Sequence, residues 1–262
     1  KHQSLTAKRL LQQKGTDYRV VSSSMTANPL SYFEHASHAV DPAQRMQMMT
    51  MYAYATDDWT RSAIIAGASG NPVDMVAQSL AFGEAEKLAS MIEALIPAAV
   101  KQDGVAGVSK LMTACANADG KADPVKNAIL RGISQQLNES PAMSPSLTEA
   151  LKKLLEQPSL AAATLPLVTK WDKGGALAGE VKTQLAKLDA TLSDNASPVE
   201  SRTNAARALI AVGGVNTEVG VKPLGDKEAP EELQAAIIQA LDEKGDAGEL
   251  VASLNRLKPR LQ

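Results

Sequence analysis

The stretch SPVESRTNAARALIAVGG, from Ser197 to Gly214, contains in order the signals that start, continue and end a helix. Ser197 can cap the first turn, Pro198 suits the first helical position, where no amide donor is needed, and Glu200 completes a capping box. Apolar residues then recur every three or four positions, and two glycines that tolerate a left-handed backbone close the stretch. The pattern predicts a helix, and variants of it recur along most of the chain.

The composition favours helices throughout. Only 3% of the 262 residues are aromatic, and alanine and leucine supply most of the apolar content. Helices that meet through alanine pack closely, so the sequence predicts an all-α fold. The 27 basic and 29 acidic residues are spread along the chain, and no segment is basic enough to follow a phosphate backbone. This charge pattern argues against a nucleic-acid partner.

Proline-marked helix starts fall in pairs with similar spacing. The spacings are 30, 34 and 32 residues, between Pro42 and Pro72, Pro124 and Pro158, and Pro198 and Pro230. A period of this size is typical of an α-solenoid, in which antiparallel helix pairs stack and bury their apolar faces against their neighbours. We therefore expect an α-solenoid rather than a globular helical bundle.

The same punctuation divides the chain into four segments. We expect an incomplete amino-terminal repeat over residues 1–27, a helical stack over 28–139, a candidate hinge at 140–146, and a second stack over 147–262 that continues the same solenoid. The predicted helices include Ser4–Gly15, Glu84–Ile96, Val105–Asn117 and Ala247–Leu257. Tyr18 to Met25, where YRVV alone suggests a strand, is interpreted as the end of the incomplete repeat.

Cysteine usage and hydropathy exclude several other classes. Cys115 is the only cysteine, so the chain has no intrachain disulfide and no CxxC or CxxCH motif, and we expect Cys115 to be a small core residue. No apolar run approaches the roughly 20 residues of a membrane span. Lys1 opens the sequence without a signal-peptide pattern, and we interpret the chain either as a mature product or as a piece of something longer.

Several helix starts carry a family resemblance. Asp41-Pro42-Ala43-Gln44-Arg45, Asp57-Asp58-Trp59-Thr60-Arg61 and Ser197-Pro198-Val199-Glu200-Ser201-Arg202 resemble the second helix of HEAT repeats. That family has Asp or Pro at the turn and Arg or Lys near the helix start. The longer segment DPAQRMQMMTMYAYATDDWTRSAIIAGAS resembles the HEAT segment of large secreted heme-binding, membrane-bound-dehydrogenase-like proteins, in which a β-propeller, HEAT repeats and a cytochrome c domain follow one another.

The resemblance implies a context rather than a site. It implies a non-catalytic helical scaffold or spacer within a larger exported protein, periplasmic or extracellular, with a cytoplasmic location still open. Gln44, Asp58 and Thr60 depart from the family pattern, and neither a propeller nor CxxCH is present, so no heme or quinone site carries over. Phycobilin-lyase-like HEAT proteins share the same pattern, which keeps a stand-alone adaptor that binds a protein partner as the alternative.

One cluster suggests metal binding as a further alternative. Glu34, His35, His38 and Asp41 form E-H-x-x-H-x-x-D, which on a helix would place both imidazoles about one turn apart. The other interpretation of this cluster is a polar helix face. No motif for nucleophilic catalysis or phosphate binding is present, so we assign no catalytic residue, no cofactor and no enzymatic activity to this chain.

Aromatic and methionine side chains are concentrated in the first third of the sequence. We interpret Met48, Tyr52, Tyr54 and Trp59 as candidate contacts to a protein partner or a neighbouring domain, because such residues are enriched at interface cores. The alternative is that Arg45 to Ala55 is apolar on every side because it lies buried in the middle of the stack.

Overall fold

The computed structural model describes residues 29–137, 139–226, 228–245, 248, 251 and 252. These residues form twelve α-helices and three short 3-10 helices, and no strand occurs among them. The all-α prediction is therefore confirmed. The predicted helix Ser4–Gly15 and the segment Tyr18 to Met25 lie outside the described residues, as does most of Ala247–Leu257.

The helices follow the order of the predicted starts. Their bounds are α1 Pro29–Ser37, α2 Pro42–Tyr54, α3 Asp58–Ala68, α4 Pro72–Ser79, α5 Ala89–Asn117, α6 Asp123–Gln136, α7 Pro145–Glu156, α8 Pro158–Trp171, α9 Ala178–Ser193, α10 Val199–Val212, α11 Val215–Gly220 and α12 Glu231–Lys244.

Two predicted caps give opposite outcomes. Asp41 caps α2 by accepting a 2.9 Å hydrogen bond from the Gln44 amide, and the Gln44 side chain accepts in return from the Asp41 amide, which completes a capping box. The box predicted at Ser197 is wrong. α10 begins at Val199, and the Ser197 hydroxyl instead donates to Asp194 Oδ2 at 2.7 Å. The residue at the cap position is Pro198, which has no side chain that could accept a capping bond.

The two predicted helices Glu84–Ile96 and Val105–Asn117 are joined in the structure. The first begins as a 3-10 helix over Ala85–Leu88 and continues as α5, which runs to Asn117 across a kink at Gly104. Gly104 has φ 52° and ψ −139°, a backbone conformation that favours glycine. The kink therefore replaces the separate loop that the sequence pattern predicted.

The contacts between helices are mostly local in sequence. The substantial contacts between α-helices join elements that are one or two positions apart in the helix order. The α1–α3 pair has the most extensive contact among them. There, a Cβ on Gly67 would lie 2.4 Å from the Phe33 carbonyl oxygen and 2.7 Å from Ala36 Cβ, so the absence of a side chain lets the two helices touch.

A side chain at the fourth position of five helices ties its helix to other segments. Four of these residues donate to a carbonyl that precedes their own helix. The bonds run from Arg45 to Val40 at 2.8 Å, Arg61 to Ala55 at 3.0 Å, Arg202 to Leu192 at 3.1 Å, and Gln234 to both Pro223 and Asp226 at 3.0 Å. Each bond fixes where the preceding loop meets its helix.

The fifth of these residues, Lys126 in α6, points to a different partner. Its side chain is fully buried, and its ammonium contacts Asp123 Oδ1 at 3.1 Å and Gln157 Oε1 at 3.3 Å. Gln157 lies between α7 and α8, so Lys126 links consecutive helix pairs. Both of its partners are polar oxygens, which is the usual condition for burying a charge.

Among the described residues, the buried apolar ones form two clusters of unequal size. The first cluster runs from Ala36 to Leu177 and contains forty residues, and the second runs from Leu192 to Leu241 and contains eleven. Leu185 and Leu188 of α9 are half-buried and pack against both clusters. The first cluster continues across the candidate hinge at 140–146, where Lys170 Nζ also donates to the Leu137 carbonyl at 2.5 Å. The predicted domain boundaries stay a prediction.

Candidate interaction surface

The turn between α2 and α3 brings two aromatic residues to one end of the neighbouring helices. α2 ends at Tyr54, and Asp57 caps α3 by accepting a 2.8 Å hydrogen bond from the Thr60 amide. Hydrogen bonds from Thr60 also hold the pKa of Asp57 below its usual value, so the cap stays charged at neutral pH. Trp59 is the second residue of α3, and it is 78% exposed.

Tyr54 is 57% exposed but held in place. Its hydroxyl donates to Glu84 Oε1, and the ammonium of Lys87 lies 4.1 Å from the centre of its ring. Lys87 also pairs with Glu84 Oε2, and the hydrogen bonds from Lys87 and Tyr54 lower the pKa of Glu84. We call Tyr54, Trp59, Glu84 and Lys87 the aromatic edge. Its tyrosine is pre-oriented, while its tryptophan ring is open to a partner.

Of the four predicted partner contacts, two are buried and two are exposed. Met48 and Tyr52 are 2% and 4% exposed and belong to the first core, and the Tyr52 hydroxyl bonds to Ser90 Oγ at 2.9 Å. In this fold they face the core rather than a partner. The expectation that this helix is buried on every side is also wrong, because Gln47, Thr50 and Tyr54 are exposed. α2 is an ordinary amphipathic helix with methionines on its inner face.

The structure does not bring the four members of the predicted metal cluster together: His35 and Asp41 have local partners outside the cluster, and only Glu34 and His38 contact each other. His35 Nδ1 lies 2.7 Å from the Ser31 carbonyl oxygen, and Asp41 is occupied as the cap of α2. His38 Nε2 lies 3.7 Å from Glu34 Oε2. Among the described residues, no group of three or more His, Cys, Asp or Glu side chains is arranged to hold a metal ion.

Cys115 lies in the core as predicted. It is fully buried, and this burial raises the pKa of its thiol to about 12. The thiol is therefore protonated and unreactive at neutral pH, because the thiolate is the nucleophilic form.

A groove lies between α7 and α9. It has a volume of about 500 Å³ and is lined by Leu155, Glu156, Gly179, Glu180, Thr183, Gln184 and Lys187. Gln184 Nε2 donates to the Leu155 carbonyl at 2.9 Å, and Lys152 pairs with Glu180 at 3.5 Å. These polar groups already bond to neighbouring parts of the chain, so we assign no ligand to the groove.

Sequence reasoning missed two members of the aromatic edge. Glu84 and Lys87 are three residues apart, a spacing that places them on one side of a helical turn. The spacing alone predicts an ion pair, but their contact with Tyr54 joins residues thirty positions apart in sequence. That contact depends on how α2 packs beside Ala85–Leu88, which no local pattern encodes.

Comparison with known protein families, characterised proteins and solved structures found no match to this chain. Within the part of the chain that the structure describes, no helix is both long and apolar enough to cross a bilayer. This agrees with the expectation of no membrane span.

Proposed function

We propose that this chain is a non-catalytic α-solenoid of HEAT-like antiparallel helix pairs that binds a protein partner or a neighbouring domain through the aromatic edge. The exposure of Trp59, on the other side of the α2–α3 turn from the braced Tyr54, carries this proposal. These two are the exposed aromatic residues among those described. Tryptophan and tyrosine are the residues most enriched at the energetic centres of interfaces, so an exposed pair of them on one edge favours a binding surface.

The contact pattern supports the solenoid. In a solenoid each unit touches only its neighbours, and the helices here contact elements one or two positions away. The proline-marked pairs of the sequence are also neighbours in space, since α2 contacts α4, α6 contacts α8, and α10 contacts α12. The period read from the sequence therefore corresponds to helices that pack side by side.

Polar bonds between the same helices support a HEAT-like ladder. Arg45 Nη1 lies 4.0 Å from Asp74 Oδ2, which links α2 to α4. Ser159 donates to Asp123 Oδ2 at 2.5 Å, which links α8 to α6. Arg207 donates to Gln239 at 2.9 Å, which links α10 to α12. Polar bonds between the equivalent helices of neighbouring pairs fit a HEAT-like ladder.

The shifted carboxylates favour a structural role over a catalytic one. The pKa values of Asp57, Asp74, Glu84 and Asp194 are lowered, first of all by bonds to Thr60, Lys110, Lys87 and Ser197 respectively. These bonds are helix caps, local turns and surface ion pairs. Such interactions perturb pKa values without any catalytic task.

The resemblance in the sequence supports a narrower proposal about context. We propose that the scaffold is the helical spacer of a larger exported heme-binding, dehydrogenase-like protein, with a stand-alone adaptor as the alternative. The intact mass of the native gene product, compared with the 27.5 kDa of this chain, separates the two. A much larger product with a heme Soret band supports the spacer, and a product of this size without a chromophore supports the adaptor.

The binding proposal is tested by photo-crosslinking in cells. A photoreactive amino acid is placed at position 59, and a matched one at position 215, because Val215 is also exposed, at 74%, on a helix far along the chain. We expect a defined crosslinked product from position 59 that is absent from position 215. Equal crosslinking at both positions would contradict the proposal.

The partner identified in this way is then measured with purified variants. Trp59→Ala should weaken binding by about 30-fold or more, since truncation of an interface hot spot costs about 2 kcal/mol or more. Val215→Ala serves as the control and should leave the affinity unchanged. An affinity that Trp59→Ala does not alter would remove the aromatic edge as the binding site.

A further inference from the structure

The first 28 residues differ in charge from the rest of the chain. They contain five basic side chains and one acidic one, whereas the whole protein has a net charge of −2. Residues 29–262 therefore carry a net charge of about −6, since +4 for the first 28 residues and −6 sum to −2. Within the basic segment, Leu10 and Leu11 follow directly after Lys8 and Arg9.

The surface around Trp59 has the complementary character. Asp57 and Asp58 precede the exposed tryptophan directly, and both are exposed. Hydrogen bonds from Thr60 lower the pKa of Asp57 still further from neutral pH. An apolar ring beside two acidic side chains fits a short segment in which leucines follow basic residues.

The geometry of α1 and α3 brings the start of the described chain to this surface. The last turns of both helices meet at Gly67. The contact between α1 and α3 is also the most extensive of any described helix pair, and two helices whose last turns meet can share such a contact only if they run side by side in the same direction. Pro29 and Trp59 are seven and eight residues before the meeting point, or about 10 and 12 Å along their helices. The two helix starts therefore lie at the same end, about one helix diameter apart.

We propose that residues 4–15, SLTAKRLLQQKG, dock on the aromatic edge, with Leu10 and Leu11 against the Trp59 ring and Lys8 and Arg9 beside Asp57 and Asp58. The thirteen residues that connect this segment to Pro29 span up to about 40 Å when extended, which is ample for the distance. This inference rests on the proposed function, because it makes the segment an intramolecular competitor of the partner. Partner binding would then require the segment to be displaced.

The test follows the exposure of Trp59 in the full chain, without any partner. Acrylamide quenching of each protein is compared with that of the same protein carrying Trp59→Phe, and the difference reports Trp59 alone. Three backgrounds are compared: the unaltered chain, Leu10→Ser with Leu11→Ser, and the control Gln12→Ser with Gln13→Ser, which leaves both the leucines and the charge of the segment unchanged. The buried Trp171, which remains after Trp59→Phe, reports whether the first core is intact.

We expect quenching of Trp59 to rise about twofold in the leucine variant, because the docked state then loses its population, and to stay unchanged in the glutamine variant. If the leucine variant also changes the quenching of Trp171, Lys8→Gln with Arg9→Gln takes its place, and we expect the same rise in the quenching of Trp59. Equal quenching of Trp59 in every background would overturn the contact. Since no partner is present, that result would leave the crosslinking test of the proposed function unaffected.

Discussion

The two cores of the molecule differ in whether each buries enough apolar surface to keep its own helices folded. The first core contains forty buried apolar residues and spans α1 to α8, whereas the second contains eleven and is built mainly by α10 to α12. A small core buries too little surface to offset the conformational entropy of its chain. The second region therefore depends on α10 packing against α8 and α9. One continuous helical chain can thus contain a self-sufficient part and a dependent part.

The largest expected effect comes from the same substitution in each core. Leu95 and Leu233 are both fully buried, in the first and second core respectively, and Leu→Ala at such sites costs about 2–5 kcal/mol. We expect Leu233→Ala to unfold α10 to α12 early while the first core persists. Urea unfolding followed by circular dichroism should then precede the change in Trp171 fluorescence.

Leu95→Ala should instead shift both signals together, because the second core loses its support when the first unfolds. Coincident transitions by both probes in the Leu233→Ala protein would show a single cooperative unit and remove the distinction between the cores.

Lys126 provides a test within the first core. Lys126→Ala leaves Asp123 and Gln157 without the ammonium that bonds to them. Asp123 is partly exposed and can bond to water instead, so we expect a loss of about 1–3 kcal/mol. Lys126→Met keeps the volume, and should cost less than the alanine variant. The labelling rate of Cys115 at intermediate urea concentration measures this stability, because the thiol becomes reactive only when the first core opens.

Arg202 provides the corresponding test in the second region. Arg202→Ala removes the hydrogen bond to the Leu192 carbonyl, which ties α10 to the end of α9, and we expect a loss of about 1–3 kcal/mol. Hydrogen exchange should accelerate in α9 to α12 and stay unchanged in α5. Faster exchange throughout the chain would show that the two regions open together.

The smallest expected effect is a pH dependence of the stability that the Lys110–Asp74 pair contributes next to the first core. Lys110 bonds to Asp74 at 2.6 Å and lowers the pKa of Asp74 from its usual value near 3.8. A depressed pKa contributes stability above the unfolded-state value, and that stability is lost as pH falls through the folded-state value. The pair is partly exposed, so we expect Lys110→Met to cost less than about 1 kcal/mol at pH 7. The cost should vanish as the pH falls well below 3.8, and an equal cost at pH 7 and pH 2 would contradict this assignment.

Local signals explain which helix boundaries could be predicted. The start of α2 at Asp41-Pro42 needs only residues within one turn, and it is found where the sequence places it. The box at Ser197 failed because the helix begins at Val199, one residue later than the pattern places it, so Pro198 occupies the cap position. No local signal indicates α11, because its six residues VNTEVG contain no cap and no apolar period.

Which face of a helix is buried was harder to predict. Met48, Tyr52 and Tyr54 lie within seven residues of an almost uniformly apolar stretch, so composition cannot distinguish the two buried residues from the exposed one. Packing against other helices decides which of the three side chains is buried. The same holds for Lys126, whose full burial depends on Gln157, thirty-one residues away.

At Gly67, a single substitution could disrupt the packing of α1 against α3. A single methyl group at this position would lie 2.4 Å from the Phe33 carbonyl oxygen, where backbone has to move to admit it. Gly67→Ala would therefore act as a wedge between α1 and α3, and it would change neither the net charge nor the larger apolar side chains of the core. One added carbon atom would thus push α1 away from α3, while the remaining helices keep their order.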